Sequence, residues 1–175
     1  MTSLLISDLH QLQERIVELY RQAESFFNKS FQKPYIRLDL KGETAGQAWI
    51  EKRQLRFNPV LLKENREHFI KQTVAHEVAH LLANDIHGPR IRAHGREWQS
   101  IMTHVFQLPA DRCHSYDTKR SSRRNWLYQC LCEGKTIALG TTRHNRSQKG
   151  TIYLCTTCKA PLKYLGRAQA DSEEA

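Results

Sequence analysis

Hydrophobic residues recur at spacings of three and four along the first part of the chain, with charged residues between them. This apolar stripe consists of Leu9, Leu12, Ile16, Leu19, Ala23 and Phe26. Such spacing places the side chains on one face of a helix. The pattern therefore predicts an amphipathic helix over roughly 4–27.

The pattern then changes to alternation, which is typical of half-buried strands. Apolar and polar residues alternate in YIRLDL (35–40), and AGQAWI (45–50) and QLRFN (54–58) follow after short gaps. Asn58-Pro59 ends the run. Together these segments predict a small antiparallel meander.

Helical spacing returns from about Glu64 to Asp85, where Val74, Val78 and Leu81 mark an apolar face. A further helix is predicted from near Gly95 to just before Pro109. Its apolar residues are Trp98, Ile101, Met102, Val105 and Phe106.

The rest of the chain is less apolar. The stretch HSYDTKRSSRRN (114–125) is polar and basic, which favours a linker or loop. Beyond it, TIALG (136–140) and TIYL (151–154) predict two short strands. The last residues, AQADSEEA, are predicted to be a frayed tail.

Composition limits the classes of protein that fit. With 175 residues, of which 39% are hydrophobic, the chain can form one domain or a domain with a small module. It has no apolar run long enough for a membrane span and no secretory signal, so we expect a cytoplasmic protein with no membrane partner. In that reducing compartment the five cysteines are expected to be metal ligands or free thiols.

The net charge of +9 is unevenly distributed. Residues 1–85 carry 12 lysines and arginines against 11 acidic residues, whereas residues 86–175 carry 15 against 7. This asymmetry indicates either a basic half that binds nucleic acid or a solvated cationic surface.

The motif His76-Glu77-x-x-His80 carries the chemistry of a zinc hydrolase. On a helix, His76 and His80 project from one face and can bind the same zinc ion. Glu77 lies about 100° around the helix, where it can act as the general base towards a water that zinc activates.

A catalytic zinc normally takes a third protein ligand. The metzincin motif fails, because Ala83 and Ile86 stand where it needs glycine and histidine. His94 and Glu97, at the start of the next predicted helix, remain as candidates. His87 misses the metzincin position by one residue, and we do not expect it to bind the zinc ion.

Two cysteine pairs, Cys130-x-Cys132 and Cys155-x-x-Cys158, are separated by 22 residues. Such pairs predict a zinc ribbon with a closed structural zinc site. His144 lies between the pairs and could replace one thiolate, and four free thiols in a small β module are the alternative. Cys113 falls outside the pattern and is expected to be an ordinary thiol.

The segment TVAHEVAHLLANDIHGPRIRAHGREWQSIM resembles the SprT family of zinc metallopeptidases, relatives of the Spartan proteases. The family's H-G-x-x-aromatic motif matches His94 to Trp98, which implies His94 as the third zinc ligand. The C-terminal segment YQCLC…RHNR…YLCTTC is similar to the family's zinc-ribbon-like module. The resemblance covers about 8–165 and is least specific in the meander.

The expected fold class is α+β. A zincin-like minimal metalloprotease domain would combine the N-terminal helix, a small antiparallel sheet, the H-E-x-x-H helix and a second ligand helix. The predicted divisions are a peptidase domain at 4–112, a basic linker at 113–125, a zinc-ribbon-like module at 126–166 and a tail at 167–175.

We expect a zinc endopeptidase with one catalytic and one structural zinc. The resemblance implies proteins bound or crosslinked to DNA as substrates, and activity that DNA stimulates. A regulatory nucleic-acid-binding protein with a weak or vestigial protease site is the alternative, and an amidase of small substrates is a third. The predicted nucleic-acid contacts are Arg120, Arg123, Arg124, Arg143 and Arg146. The nearby aromatic residues Trp126 and Tyr128 are expected to stack on bases of a single strand.

Overall fold

The structure, a computed structural model, describes residues 2–118, 120–121 and 126–167, with only the backbone for 2–6. The chain divides into two compact units after Ser121. The N-terminal unit contains helices and a three-stranded sheet, and the C-terminal unit contains a second three-stranded sheet and one helix. Among the described helices, none is long and apolar enough to cross a membrane.

Helix α1 (Thr2–Phe27) confirms the predicted amphipathic helix. Leu12, Ile16, Leu19 and Ala23 are buried on its inner face. The prediction for Phe26 is wrong, because this side chain is 59% exposed. Its neighbour Phe27 packs against the core instead, so the apolar face is offset by one residue in the last turn.

The first sheet is mixed, so the predicted antiparallel meander is wrong. Its strands are β1 (Tyr35–Arg37), β2 (Gly46–Trp49) and β3 (Gln54–Phe57), in the order β1-β3-β2. Strands β2 and β3 form the expected antiparallel hairpin, whereas β1 is parallel to β3. Residues 38–45 carry the chain past β3 to the opposite edge, which alternation alone does not reveal. Strand β2 is consequently an edge strand.

Asn58 does more than end the third strand, because its side chain accepts hydrogen bonds from the N–H groups of Val60 and Leu61. It thereby caps a short helix that begins with Pro59. The helical elements that follow are α2 (Pro59–Glu64), α3 (Arg66–His68), a π-helical segment (Phe69–Thr73), α4 (Val74–His87), α5 (Arg96–Ser100) and a second π-helical segment (Ile101–Val105).

Helix α4 lies at the centre of the N-terminal unit. It packs against α1, β2 and α5, and its predicted apolar face of Val74, Val78 and Leu81 is buried. A π-helical segment, such as Phe69–Thr73 here, adds a residue to a helical turn and often occurs next to functional sites.

The C-terminal unit is an antiparallel sheet with a helix. Strands β4 (Trp126–Gln129), β5 (Thr136–Leu139) and β6 (Lys163–Arg167) follow the order β5-β4-β6. The strand prediction for TIALG is confirmed. TIYL contributes only one bridge, between Leu154 and Pro161.

Helix α6 (Thr141–Gln148), between the cysteine pairs, was not predicted from the sequence. Its residues lack an apolar stripe, and His144 is its one buried side chain. The spacing of apolar residues therefore could not predict this helix.

Candidate metal centre

Three histidines meet above the middle of α4. His76 and His80 project from adjacent turns of the helix, and His94 comes from the loop before α5. Their potential ligand nitrogens all lie within 4.8 Å of one another, with 3.0 Å between the Nε2 atoms of His76 and His94. Tetrahedral zinc with nitrogen ligands at 2.0–2.1 Å requires nitrogens about 3.4 Å apart. The three histidines fit such an ion.

The structure thus brings together the three histidines that the sequence predicted. Within the described part of the chain, neither Glu97 nor His87 belongs to this group. Glu97 Oε2 lies beside the Gly95 backbone instead, 2.8 Å from where a Cβ on residue 95 would stand.

Backbone groups orient the imidazole rings. Nδ1 of His76 donates a hydrogen bond to the carbonyl of Asp111 at 3.2 Å, and His80 donates to the carbonyl of Ala93. Such bonds select the tautomer that leaves the other nitrogen free for a metal. The fully buried Trp98 packs against all three rings, and its Nε1 donates to the carbonyl of His76 at 3.1 Å.

Burial keeps the histidines in their neutral form. Burial first, and neighbouring imidazoles second, lower the pKa of His76 to about 4 and that of His80 to about 3. The pKa of His94 is also lowered, first by burial and then by Arg112. Neutral imidazole is the form that binds a metal ion, so the site is ready for one at neutral pH.

Glu77 is buried between α4 and β2, with 7% of its surface exposed. Desolvation raises the pKa of its carboxyl to about 8, although the backbone N–H of Ala48 donates to it and opposes that shift. A carboxyl whose pKa lies near neutrality can both accept and release a proton.

Gly46 is a site residue that the sequence reasoning missed. A Cβ at this position would stand 2.6 Å from Cγ of Glu77 and 2.7 Å from its Oε1, which is closer than real contacts allow. The strand approaches the carboxylate this closely because residue 46 has no side chain. A glycine inside a strand pattern often marks a close approach by another group, so the glycine in AGQAWI could have indicated this contact.

Two hollows flank the buried carboxylate, and Gly46, His76 and Glu77 line both of them. One, of about 320 Å³, extends between Thr44 and the segment 111–115. The other, of about 440 Å³, extends past His80 to Ile91 and Ala93. The site is therefore open on both sides along the edge strand β2.

Residues 109–116 form a strap across the N-terminal end of α4. The Tyr116 hydroxyl hydrogen-bonds His68 Nδ1 at 2.8 Å and Thr73 Oγ1 at 2.9 Å, and its ring stacks on Phe69. Gln72 donates to the carbonyl of Pro109. Part of the predicted basic linker is thus fixed to the N-terminal unit, and the strap holds the Asp111 carbonyl beside His76.

The C-terminal unit contains a second group of potential ligands. The sulfurs of Cys130, Cys132, Cys155 and Cys158 lie within 4.8 Å of one another. Backbone N–H groups of Cys158 and Thr157 lower the pKa of Cys155 to about 6, which favours its thiolate. Four thiolates can close a tetrahedral site completely, as in structural metal sites.

His144 does not replace a cysteine in this group. It is buried in the sheet face, where Nδ1 bonds the Tyr128 hydroxyl at 3.0 Å and the ring stacks on Trp126. Tyr128 is itself buried, so it cannot stack on a nucleic-acid base as the sequence had suggested. Cys113 is exposed and lies outside the cysteine group.

The predicted nucleic-acid contacts fall in different places. Arg143 and Arg146 are exposed on α6. Arg120 is in the N-terminal unit, where it pairs with Glu64 at 3.3 Å. Arg123 and Arg124 lie outside the described residues.

The histidine group is consistent with a metallopeptidase-like domain, and comparison with known proteins identifies the family. The model of the SprT-like family matches residues 16–114. The chain is 48% identical over 161 residues to "Protein SprT" of Pseudomonas paraeruginosa, covering 91% of this chain and 98% of that protein. It is 45% identical over 161 residues to the protein of that name from Pseudomonas fluorescens, with 92% and 98% covered. The chain belongs to the SprT-like family. No solved structure matches it.

Proposed function

We propose that this chain is a zinc-dependent endopeptidase that acts on DNA-bound or DNA-crosslinked proteins and that DNA stimulates. The observation that carries the proposal is the buried Glu77 carboxyl, which lies next to three neutral histidines at a site open on both sides. A purely structural metal site is closed, whereas a catalytic site keeps a position for water and substrate.

His76, His80 and His94 would hold the zinc. When bound, zinc polarises the scissile carbonyl and makes water acidic enough to attack near neutral pH. Glu77 takes the proton from the attacking water and then delivers it to the leaving nitrogen of the peptide. Its raised pKa suits both steps.

The unpaired edge of β2 is the expected binding place for the substrate. In the order β1-β3-β2, only one edge of this strand is paired within the described sheet. An extended peptide can add to a free edge through main-chain hydrogen bonds, independently of its sequence. The hollows on both sides of Glu77 then receive residues before and after the scissile bond, as an endopeptidase requires.

The DNA part of the proposal depends on charge. Arg143 and Arg146 are exposed on α6, and the C-terminal unit has nine lysines and arginines against four acidic residues. Contacts of this kind attach to phosphates and tolerate any base sequence. The four-cysteine group would hold a structural zinc that stabilises this small unit.

A cleavage assay tests the proposal. Zinc-loaded protein is incubated with a DNA-binding protein, with and without single-stranded DNA, beside Glu77→Gln, which keeps the size of the side chain. We expect cleavage that DNA stimulates and that falls at least about 1,000-fold in the variant, because the general base is lost. Glu14→Gln, which alters an exposed carboxylate on α1, is the matched control and should cleave normally.

Cleavage that persists in zinc-loaded Glu77→Gln would contradict the proposed mechanism. If the wild-type protein binds DNA with both zinc ions present but cleaves nothing under any condition, the nucleic-acid-binding regulator becomes the better description.

A further inference from the structure

The basic residues of the stretch 86–175 do not all belong to the C-terminal unit, which begins at Ser122. Residues 86–121 of the N-terminal unit contain six lysines and arginines against three acidic residues. Four of these six line a single hollow: Arg90, Arg92, Arg96 and Arg112. The charge asymmetry seen in the sequence therefore includes a cluster beside the metal centre.

This arginine hollow has a volume of about 500 Å³. The loop before α5 supplies Arg90 and Arg92, α5 supplies Arg96, and the strap supplies Arg112. His94 lines this hollow and also the 440 Å³ hollow next to Glu77. His94 thus lies between this hollow and the 440 Å³ part of the proposed peptide path, whereas Arg112 also lines the 320 Å³ hollow on the other side of Glu77.

The positive charge of the hollow is poorly compensated. All four arginines are exposed, and none forms an ion pair with a carboxylate of the described residues. Glu97 is the one acidic residue among the lining residues. Clustered cations repel one another, and an anion that enters the hollow relieves this repulsion.

We propose that the arginine hollow binds phosphate groups of a nucleic-acid strand directly beside the metal centre. Guanidinium groups match the geometry of phosphate and bind it through two parallel hydrogen bonds. A nucleic-acid strand presents one charge about every 3.4 Å, so it can engage several arginines at once.

The main competing ligand is an acidic side chain of the peptide substrate. One carboxylate is satisfied by one bidentate guanidinium, whereas here four arginines from two separate segments surround about 500 Å³. The number and spread of the charges therefore favour a repeating anion over a single carboxylate.

The inference rests on the proposed function in one respect: a strand held beside His94 would bring DNA-bound proteins to the scissile position. Nucleic-acid binding by the hollow is independent of catalysis and can be measured without it. If no cleavage is detected, the measurement of nucleic-acid binding still tests the phosphate site.

The test compares two double variants of the full-length, zinc-loaded protein. Arg90→Gln with Arg92→Gln removes two charges from the hollow and leaves Arg112, which also lines the 320 Å³ hollow, in place. Arg21→Gln with Lys33→Gln removes two exposed charges elsewhere in the N-terminal unit and is the matched control. Binding of a labelled oligothymidylate is followed by fluorescence anisotropy across a range of salt concentrations, and zinc content is measured in parallel.

We expect the hollow variant to bind several-fold more weakly at low salt, with both zinc ions retained. The slope of log K against log salt should fall by about 1.4, since each phosphate contact on a single strand contributes about 0.7. The control variant should keep the wild-type slope. Photocrosslinking of 4-thiothymidine DNA should also yield adducts within residues 90–96 or at Arg112 in the wild-type protein.

An unchanged slope in the hollow variant, or an equal change in both variants, would overturn the proposal. So would an unchanged slope combined with selective loss of cleavage of peptides that contain aspartate or glutamate. That result would assign the hollow to acidic side chains of the substrate.

Discussion

Glu77 and Gly46 form a matched pair of residues on neighbouring elements. The Glu77 carboxylate occupies the space that a side chain at position 46 would need. Two residues further along β2, the backbone N–H of Ala48 donates a hydrogen bond to this carboxylate. The position of Glu77, the proposed general base, is thus set by packing as well as by the H-E-x-x-H motif. A small change on β2 is expected to displace it.

Replacement of Gly46 by alanine should lower the rate of peptide cleavage by about 100-fold, because a shift of about 1 Å in a catalytic group has that effect. The histidines and their zinc should be unaffected. Activity and zinc content measured side by side check this prediction. Gly140→Ala is the control, since a Cβ there meets nothing within 4 Å. Full activity in Gly46→Ala would contradict the prediction that contact with β2 sets the catalytic position of Glu77.

The raised pKa of Glu77 predicts a pH-dependent stability in the metal-free protein. The folded-state pKa of about 8 exceeds the ordinary carboxyl value of 4.5, so the folded state holds the proton more tightly. This group's contribution to stability is fully present below pH 4.5 and is lost as pH rises through 8. Glu77→Gln should therefore gain stability relative to wild type as pH rises from 4.5 to 8.

Thermal unfolding followed by far-ultraviolet circular dichroism, with chelator present, measures this difference. Glu14→Gln, which alters an exposed carboxylate on α1, is the control and should show no such gain. A difference between Glu77→Gln and wild type that is constant with pH would contradict the assignment.

At the scale of elements, the predicted helices were found because their apolar stripes face the core over several turns. The first sheet was predicted with the wrong topology, since alternation identifies strands but does not determine which strands pair. The strap could not be predicted at all. Its anchor, Tyr116, lies in a polar and basic stretch and makes its bonds to residues more than 40 positions earlier.

Replacement of Tyr116 by phenylalanine tests the strap. The ring can remain stacked on Phe69, while the hydrogen bonds to His68 and Thr73 disappear. We expect a loss of about 1 kcal/mol in the free energy of unfolding. Zinc affinity at the histidine site should fall about tenfold, because the Asp111 carbonyl orients His76 less well.

Chemical denaturation and zinc competition against a chelator measure both effects. Tyr35→Phe is the control, since that side chain is 71% exposed. If Tyr116→Phe keeps wild-type zinc affinity, the strap does not position His76.

At the scale of the whole molecule, the chain consists of two compact units, each with its own group of potential metal ligands. Small units bury too little apolar surface to be stable by packing alone, and metal binding supplies the missing free energy. The C-terminal unit leaves Leu131, Ile152 and Leu154 more than half exposed, which is consistent with that need.

Cys155→Ser should reduce bound zinc from two ions per chain to one. The C-terminal unit should lose its protection against proteolysis, while the histidine site keeps its zinc, because its ligands belong to the other unit. Metal analysis and limited proteolysis with mass spectrometry provide the measurement. Cys113→Ser, outside the cysteine group, should retain both ions. Loss of both ions in Cys155→Ser would show that the two sites depend on each other.

The sequence by itself determined the features that are local along the chain. The H-E-x-x-H motif defined His76, Glu77 and His80, because residues four apart share a helix face. The paired cysteines defined the second group by their spacing. For the third histidine, spacing left His94 and Glu97 open, and the resemblance to the SprT family favoured His94, which the structure brings to the other two.

Only the tertiary structure decided the features that depend on contacts between distant segments. These are the pairing of β1 with β3, the approach of Gly46 to Glu77, the strap held by Tyr116 and the gathering of four arginines around one hollow. The paired residues of β1 and β3 are 19 positions apart, Gly46 and Glu77 are 31 apart, and Tyr116 follows Thr73 by 43 positions. Arg112 follows the other three arginines by 16 to 22 positions, so no local periodicity links these partners. Packing of α4 against its neighbours brings such residues together, and their chemistry exists only after the chain has folded.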